Sequence, residues 1–239
     1  MAAPVAMILL WPHSPAAGIG VVFLSHMLIL YPTLRPNVQW LGPVVTRFAT
    51  AKKEVWLTID DGPTADTAAI LDLFDKYSAK ATFFVKGAIA SREWVEAMRA
   101  RGHSVANHTH THPSASFWCL LPGRIATEID DCTRAIGETR WFRAPVGMKN
   151  PFVHPLLARR NMRLIGWSAR GFDGVKTSAS DVVARVLAKL EPGAIIVLHQ
   201  GRPHSLEVLE RVIVEVQARG YELVVPDDDR LLEGRQTNR

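Results

Sequence analysis

Hydrophobic and polar positions change rhythm along this chain, and the changes divide it. Residues 1–34 contain no Lys, Arg, Asp or Glu, and residues 16–31 are largely apolar. From Glu54 onward, short β-rich runs alternate with stretches whose apolar residues recur at helical spacing. Seven strands are expected, at 55–59, 81–85, 103–107, 141–143, 163–167, 194–198 and 221–225. Helical spacing marks 69–77, 92–100, 124–136, 181–190 and 205–218, and Gly102 and Gly220 stand where C-terminal caps belong. Regular alternation of this kind predicts an α/β architecture with mainly parallel strands.

The segment 1–50 is set apart as an apolar N-terminal element. A membrane span needs about 20 apolar residues. The apolar stretch here is shorter, is interrupted by Ser25 and His26, and follows Trp11-Pro12-His13-Ser14-Pro15. The first basic residues, Arg35, Arg47, Lys52 and Lys53, come after it, which is the reverse of a cleaved signal peptide. Residues 1–34 are therefore a candidate anchor in the cell membrane, and the positive-inside tendency puts the following domain on the cytoplasmic face. The alternative is an apolar element packed on a soluble domain. Residues 51–226 form the expected catalytic domain, and 227–239 a polar tail expected to fray.

Composition narrows the partners. With 239 residues, 48% hydrophobic and 21% charged, the chain has room for one substantial core. Its net charge of +5 is scattered, with no basic-aromatic repeat, which argues against nucleic acid and leaves a glycan or an anionic membrane surface. Two cysteines, Cys119 and Cys132, are too few for a disulfide scaffold. Cys132 continues the helical stripe Ile125, Ile129, Cys132, Ile136 and reads as core.

Chemistry enters at Trp56-Leu57-Thr58-Ile59-Asp60-Asp61-Gly62-Pro63, a buried β run ending in two carboxylates. Like charges brought together need a compensating cation. Alone, the pair reads equally well as the opening of a Gly-Pro turn. Downstream, His108-Thr109-His110-Thr111-His112-Pro113 places His108 and His112 four apart. On a helical turn these two share a face and chelate one ion, whereas extended backbone would group His108, His110 and His112; the turn is preferred. One acid with two imidazoles suits zinc and leaves a position for water.

The strand pattern gathers further residues. Asp60 and Asp61 follow the first strand, His108 the third, Arg143 ends the fourth, Asp173 lies beyond the fifth and His199 follows the sixth. Singly, Arg143 reads as a surface arginine, Asp173 as a turn acid and His199 as a core histidine. Together they lie at the C-terminal ends of parallel strands, where loops converge on one pocket.

As a set, these residues resemble the polysaccharide deacetylases of the NodB homology type, carbohydrate esterase family four. The resemblance covers residues 54–226. It rests on Thr58-Ile59-Asp60-Asp61-Gly62-Pro63, close to Thr-Phe-Asp-Asp-Gly-Pro, and on the His108–Pro113 run, matching His-Ser/Thr-x-x-His-Pro. It implies a distorted (β/α)7 barrel and a metal-dependent hydrolase that removes N-acetyl groups from amino sugars of a glycan or glycoconjugate. In that reading Asp60 is the general base, and Asp61, His108 and His112 hold a divalent metal, zinc first, with cobalt or manganese as alternatives. His110 is left unliganded. Arg143-Ala144-Pro145 resembles an Arg-x-Pro element in which Arg143 pairs with the base and the Val146 N–H faces the oxyanion. The resemblance also implies that His199 is the acid, that Asp173 orients it, and that Pro145, Val146 and Trp167 line the substrate.

This sequence departs from the family pattern at three positions. Val146 stands where an aromatic residue is common, Arg170 where a second acid is, and Gly174 where a tryptophan is. The reaction is thus better specified than the substrate. Action on a lipid-linked sugar, O-acetyl ester hydrolysis, and a non-catalytic glycan-binding or membrane assembly role remain as alternatives.

Overall fold

The structure, a computed structural model, describes residues 2–175 and 177–233. Its centre is a parallel sheet built from β2 (Glu54–Gly62), β3 (Ala81–Val85), β4 (Ser104–Asn107), β5 (Trp141–Phe142), β6 (Arg163–Leu164), β7 (Ala169–Arg170), β8 (Ile195–His199) and β9 (Glu222–Leu223). The order is β6-β5-β4-β3-β2-β8-β7, with β9 paired to the start of β2. Intervening helices α3 (Thr67–Lys76), α4 (Arg92–Ala100), α5 (Pro122–Ile136), α6 (Val153–Ala158), α7 (Ala179–Leu187) and α8 (Ser205–Ala218) supply the crossovers.

The sheet curls into an incomplete barrel, and side-chain alternation sorts residues between its two faces. Val55, Leu57 and Ile59 of β2 join the layer packed under the helices, with Phe83 and Val85 of β3 and Val212 and Ile213 of α8. The intervening residues point into the barrel, where Trp56, Phe84, Val197 and Trp167 form a second cluster. The Trp56 indole N–H donates to Thr82 Oγ1 at 2.8 Å, so the buried indole is paired. Asp60 continues the inward series Trp56, Thr58, which aims its carboxylate into the barrel mouth.

Both flanking segments contribute to this unit. β1 (Val45–Phe48), from the 1–50 segment, pairs antiparallel with β10 (Leu231–Glu233). Isolated bridges from Val45 to Ile165 and from Arg47 to Ala194 carry β1 across the open side of the barrel. The chain beyond Asp227 does not fray as expected through Glu233: Leu231 is buried, and Trp141 donates to Asp228 at 2.9 Å. The rest of the tail, 234–239, lies outside the described residues. The single strand expected at 163–167 is instead two short strands, because Gly166 N–H turns to Val45 O at 2.7 Å and Ser168 N–H to Ile195 O.

The apolar N-terminus forms α1 (Ala2–Leu10) packed against α2 (Pro15–Leu34). Ser25 and His26 do not interrupt α2, because both side chains donate to Val22 O at 2.7 Å. The helix is 20 residues long with a mean hydropathy of 1.7, about 30 Å at 1.5 Å per residue. Its far end is fastened to the barrel. Lys149, fully buried, donates to the carbonyls of Pro32, Arg35 and Pro36 at 3.3, 2.9 and 2.8 Å.

Candidate active site

Asp60 is held from below by Arg143. The guanidinium, 1% exposed, donates to Asp60 Oδ1 and Thr58 Oγ1, each at 2.7 Å, and to the carbonyls of Ile165 and Gly166 at 3.2 and 3.0 Å. It also lies 4.1 Å from the centre of the Phe84 ring. A buried arginine with this many acceptors is a rigid support for a carboxylate.

Asp61 would face the helices if β2 alternated regularly. Instead the β2–β3 register shifts between Asp60 and Gly62, and Asp61 takes φ 75°. The bulge turns its side chain to the same mouth as Asp60. Asp61 Oδ2 accepts from Arg202 at 2.7 Å, whereas Oδ1 is buried with no hydrogen-bond partner.

Two histidines face that free oxygen. His112 Nε2 lies 3.4 Å and His108 Nε2 3.9 Å from Asp61 Oδ1. His108 Nδ1–H donates to Arg143 O at 2.9 Å, which fixes the tautomer and leaves Nε2 as a lone-pair donor. Burial holds both imidazoles below their ordinary pKa, His112 at about 4, so both are neutral, as metal ligands must be. Ligand atoms of Asp61, His108 and His112 lie within 4.8 Å of one another, the one such group among the described residues. An orphaned carboxylate oxygen facing two neutral ring nitrogens fits a divalent cation.

The histidine segment is not the helical turn expected from its spacing. Residues 108–112 are a loop, with Thr109 at φ 67° and His112 at φ 55°. Side chains outside the motif clamp it. Asn107 Oδ1 accepts from Thr109 N–H at 2.9 Å, and the Glu128 carboxylate accepts from Thr111 N–H and Oγ1–H at 2.8 and 2.6 Å. His110 turns away and lies against Gly87.

His199 stands across the mouth, in register with Asp60 through the parallel β2–β8 pairing. Asp173 grips it twice, accepting from the backbone N–H at 2.7 Å and from Nδ1–H at 2.9 Å. Burial opposes the imidazolium, but the hydrogen bond and charge of Asp173, with Asp60 and Asp61 behind it, outweigh that and raise the His199 pKa. One cavity of about 350 Å³ is lined by Asp60, Asp61, His108, His112, Val146, Trp167 and His199. Pro145 is buried just beneath, and Val146 adopts φ 49° on the rim. Gly147, at φ 75°, admits Pro36 and Trp167 so closely that a Cβ would sit 2.6 Å from each.

Lys86, Arg170 and Arg202 also line this cavity. Arg202 and Lys86 went unassigned in the sequence, where nothing marks one basic residue in a loop above another.

The family model described as polysaccharide deacetylase matches residues 48–165. A chitooligosaccharide deacetylase of Bradyrhizobium sp. (strain ANU 289) is 32% identical over 194 residues, 72% of this chain and 88% of that protein. The family 4 carbohydrate esterase of Streptomyces lividans, solved with acetate, aligns with TM-score 0.69 at 25% identity, covering 77% and 98% of the two chains. A family 4 pseudoenzyme of Bacillus anthracis aligns with TM-score 0.67 at 26% identity, covering 74% and 65%. This chain belongs to the polysaccharide deacetylase family and is a carbohydrate deacetylase.

Proposed function

We propose that this chain removes N-acetyl groups from amino-sugar residues of a glycan or glycoconjugate, with Asp60 as base and His199 as acid. Asp61, His108 and His112 hold the metal. When bound, a divalent ion, zinc by its match to one carboxylate and two imidazoles, supplies Lewis acidity toward water and the acyl carbonyl.

Asp60, oriented by the hydrogen bond from Arg143, accepts the proton of the attacking water. The water oxygen bonds to the acyl carbon, and the Val146 N–H faces the oxyanion. As the C–N bond breaks, His199 gives its proton to the departing nitrogen, so the products are a free amine and acetate. Asp173 keeps the imidazole charged and aimed.

The observation that carries this reading is the registration of Asp60 and His199 on adjacent strands, on either side of the unpartnered Asp61 oxygen. Fold alone would not support it, since a pseudoenzyme shares the fold. Binding without turnover does not call for a base, a ligand triad and a charged acid around one cavity. The test is acetate release from N-acetylated chitooligosaccharides by zinc-loaded protein. Amine and acetate in equal amounts are expected; stoichiometric metal with no hydrolysis of any acetylated sugar overturns the proposal.

The reading also places the protein at the cell membrane. Residues 1–34 serve as the anchor, and residues 51–226, bordered by β1 and β10, as the catalytic domain. Ile19, Phe23, Leu24 and Leu28 of α2 are each more than half exposed, which suits lipid better than water. With the first basic residues following the helix, the domain is assigned to the cytoplasmic face. Reporter fusions at Glu233 test the side.

A further inference from the structure

A second cavity adjoins the first and opens beside the end of α2. Its walls include Tyr31 and Arg35 from the helix end, Trp167, Arg170 and Phe172 from the barrel rim, and Lys189. Trp167 and Arg170 line both cavities, so the two share a wall. The second has a volume of about 720 Å³. It is an annex beside the reaction cavity, divided from it by Trp167 and Arg170 and lying on the side of the apolar helix.

The annex is cationic. Arg35, Arg170 and Lys189 form no ion pair among the described residues, and no Asp or Glu lines the cavity. Arg170 Nε is buried with no acceptor, although its guanidinium is packed 5.2 Å from the Trp167 ring centre and 4.8 Å from that of Phe172. An unpaired donor held between aromatic faces lacks an acceptor that a ligand would supply.

The level of the annex matters. Tyr31, near the C-terminal end of α2, and Trp40, in the chain that follows, have ring centres 5.2 Å apart and are both exposed, with Arg35 over the Tyr31 ring. Aromatic and basic residues at the end of an apolar helix mark the headgroup level of a bilayer. Lys149 pins that end to the barrel through three carbonyls, so the interface meets the protein at the annex.

We propose that the substrate is an acetylated amino sugar joined through a phosphate to a membrane lipid. The phosphate sits among Arg35, Arg170 and Lys189, the sugar reaches past Trp167 to Asp60, and the hydrocarbon stays in the bilayer beside α2. This rests on the deacetylase reading above and names its substrate class. Charge, position and adjacency to the reaction cavity agree: a phosphate at headgroup depth matches three cations that form no ion pair among the described residues.

The experiment uses the full chain, zinc-loaded, in phosphatidylcholine vesicles. The probe is N-acetylglucosamine 1-phosphate esterified to an isoprenoid alcohol; chitotriose and vesicles containing phosphatidylglycerol are the comparisons. Replacing both Arg35 and Lys189, which do not line the reaction cavity, with Ala is expected to lower kcat/KM for the lipid-linked probe about thirtyfold. Hydrolysis of chitotriose should hold within about twofold. Equal loss on both substrates, or none on the probe, overturns the proposal. Vesicle binding that follows phosphatidylglycerol as strongly as the sugar phosphate also overturns it, as an ordinary anionic-lipid site. If neither sugar is hydrolysed, the deacetylase reading fails, and probe binding that is the same in wild type and variant then separately decides against the annex.

Discussion

Asp60 and His199 sit opposite each other on neighbouring parallel strands, paired in register through β2 and β8. Proposed base and proposed acid are therefore spaced by backbone hydrogen bonds rather than by loops. Arg143 steadies one from within the barrel, and Asp173 grips the other through both carboxylate oxygens. Such support from strands and buried partners is how a catalytic geometry is held before substrate arrives.

Asp60→Asn keeps the shape and an acceptor for Arg143 but cannot take a proton. Acetate release should fall by about a thousandfold or more, while bound metal stays near one equivalent by elemental analysis. Activity close to wild type would mean that another group removes the proton.

His112→Ala removes one donor facing the Asp61 oxygen. Metal affinity should drop by two orders of magnitude or more, roughly, seen as zinc lost on dialysis while the far-UV spectrum is unchanged. Retention of tightly bound zinc would exclude His112 as a ligand.

The pH profile reports His199. Its pKa is raised by Asp173, so the acid form persists to higher pH than an ordinary imidazole allows. Asp173→Asn removes the charge that raises it, and the alkaline limb of kcat/KM should move to lower pH. A limb that does not move would assign the acid elsewhere.

Arg143→Met leaves the Asp60 carboxylate buried without its partner. Thermal or urea unfolding should show a loss of about 3–5 kcal/mol. A loss below about 1 kcal/mol would show that Asp60 finds its compensation elsewhere.

Acid should weaken the fold through His103, whose pKa is lowered to about 4 by burial and by the nearby charge of Lys80. The unfolded chain binds this proton near the ordinary value of 6.5. Between those two values the unfolded state holds more protons, so stability is present above the window and is lost as pH falls through it. The contribution is on the order of 3 kcal/mol, readable from unfolding midpoints across that range. A midpoint independent of pH there would contradict it.

Much of the barrel was legible because its central strands are buried on both faces and read as apolar runs, 81–85 and 194–198 being the clearest. The grouping of Asp60, Arg143, Asp173 and His199 followed from the rule that the C-terminal ends of parallel strands converge. Other features depend on long-range partners. The bulge at Asp61 exists only against β3, and the histidine loop is shaped by Asn107 and Glu128 rather than by its own spacing. β1 and β10 are short and acquire meaning only by pairing with each other. The unbroken run of α2 depends on Ser25 and His26 bonding back to Val22, which hides their polarity from the surroundings.

The proposed chemistry needs a cation held by Asp61, His108 and His112 within reach of Asp60 and His199. Anomalous diffraction from zinc-loaded crystals at the zinc edge tests this most directly. One strong peak bonded to Asp61 Oδ1 and to Nε2 of both His108 and His112, in the cavity His199 faces, is the predicted result. A peak on other residues, or fully loaded protein with no density between those three atoms, would contradict it.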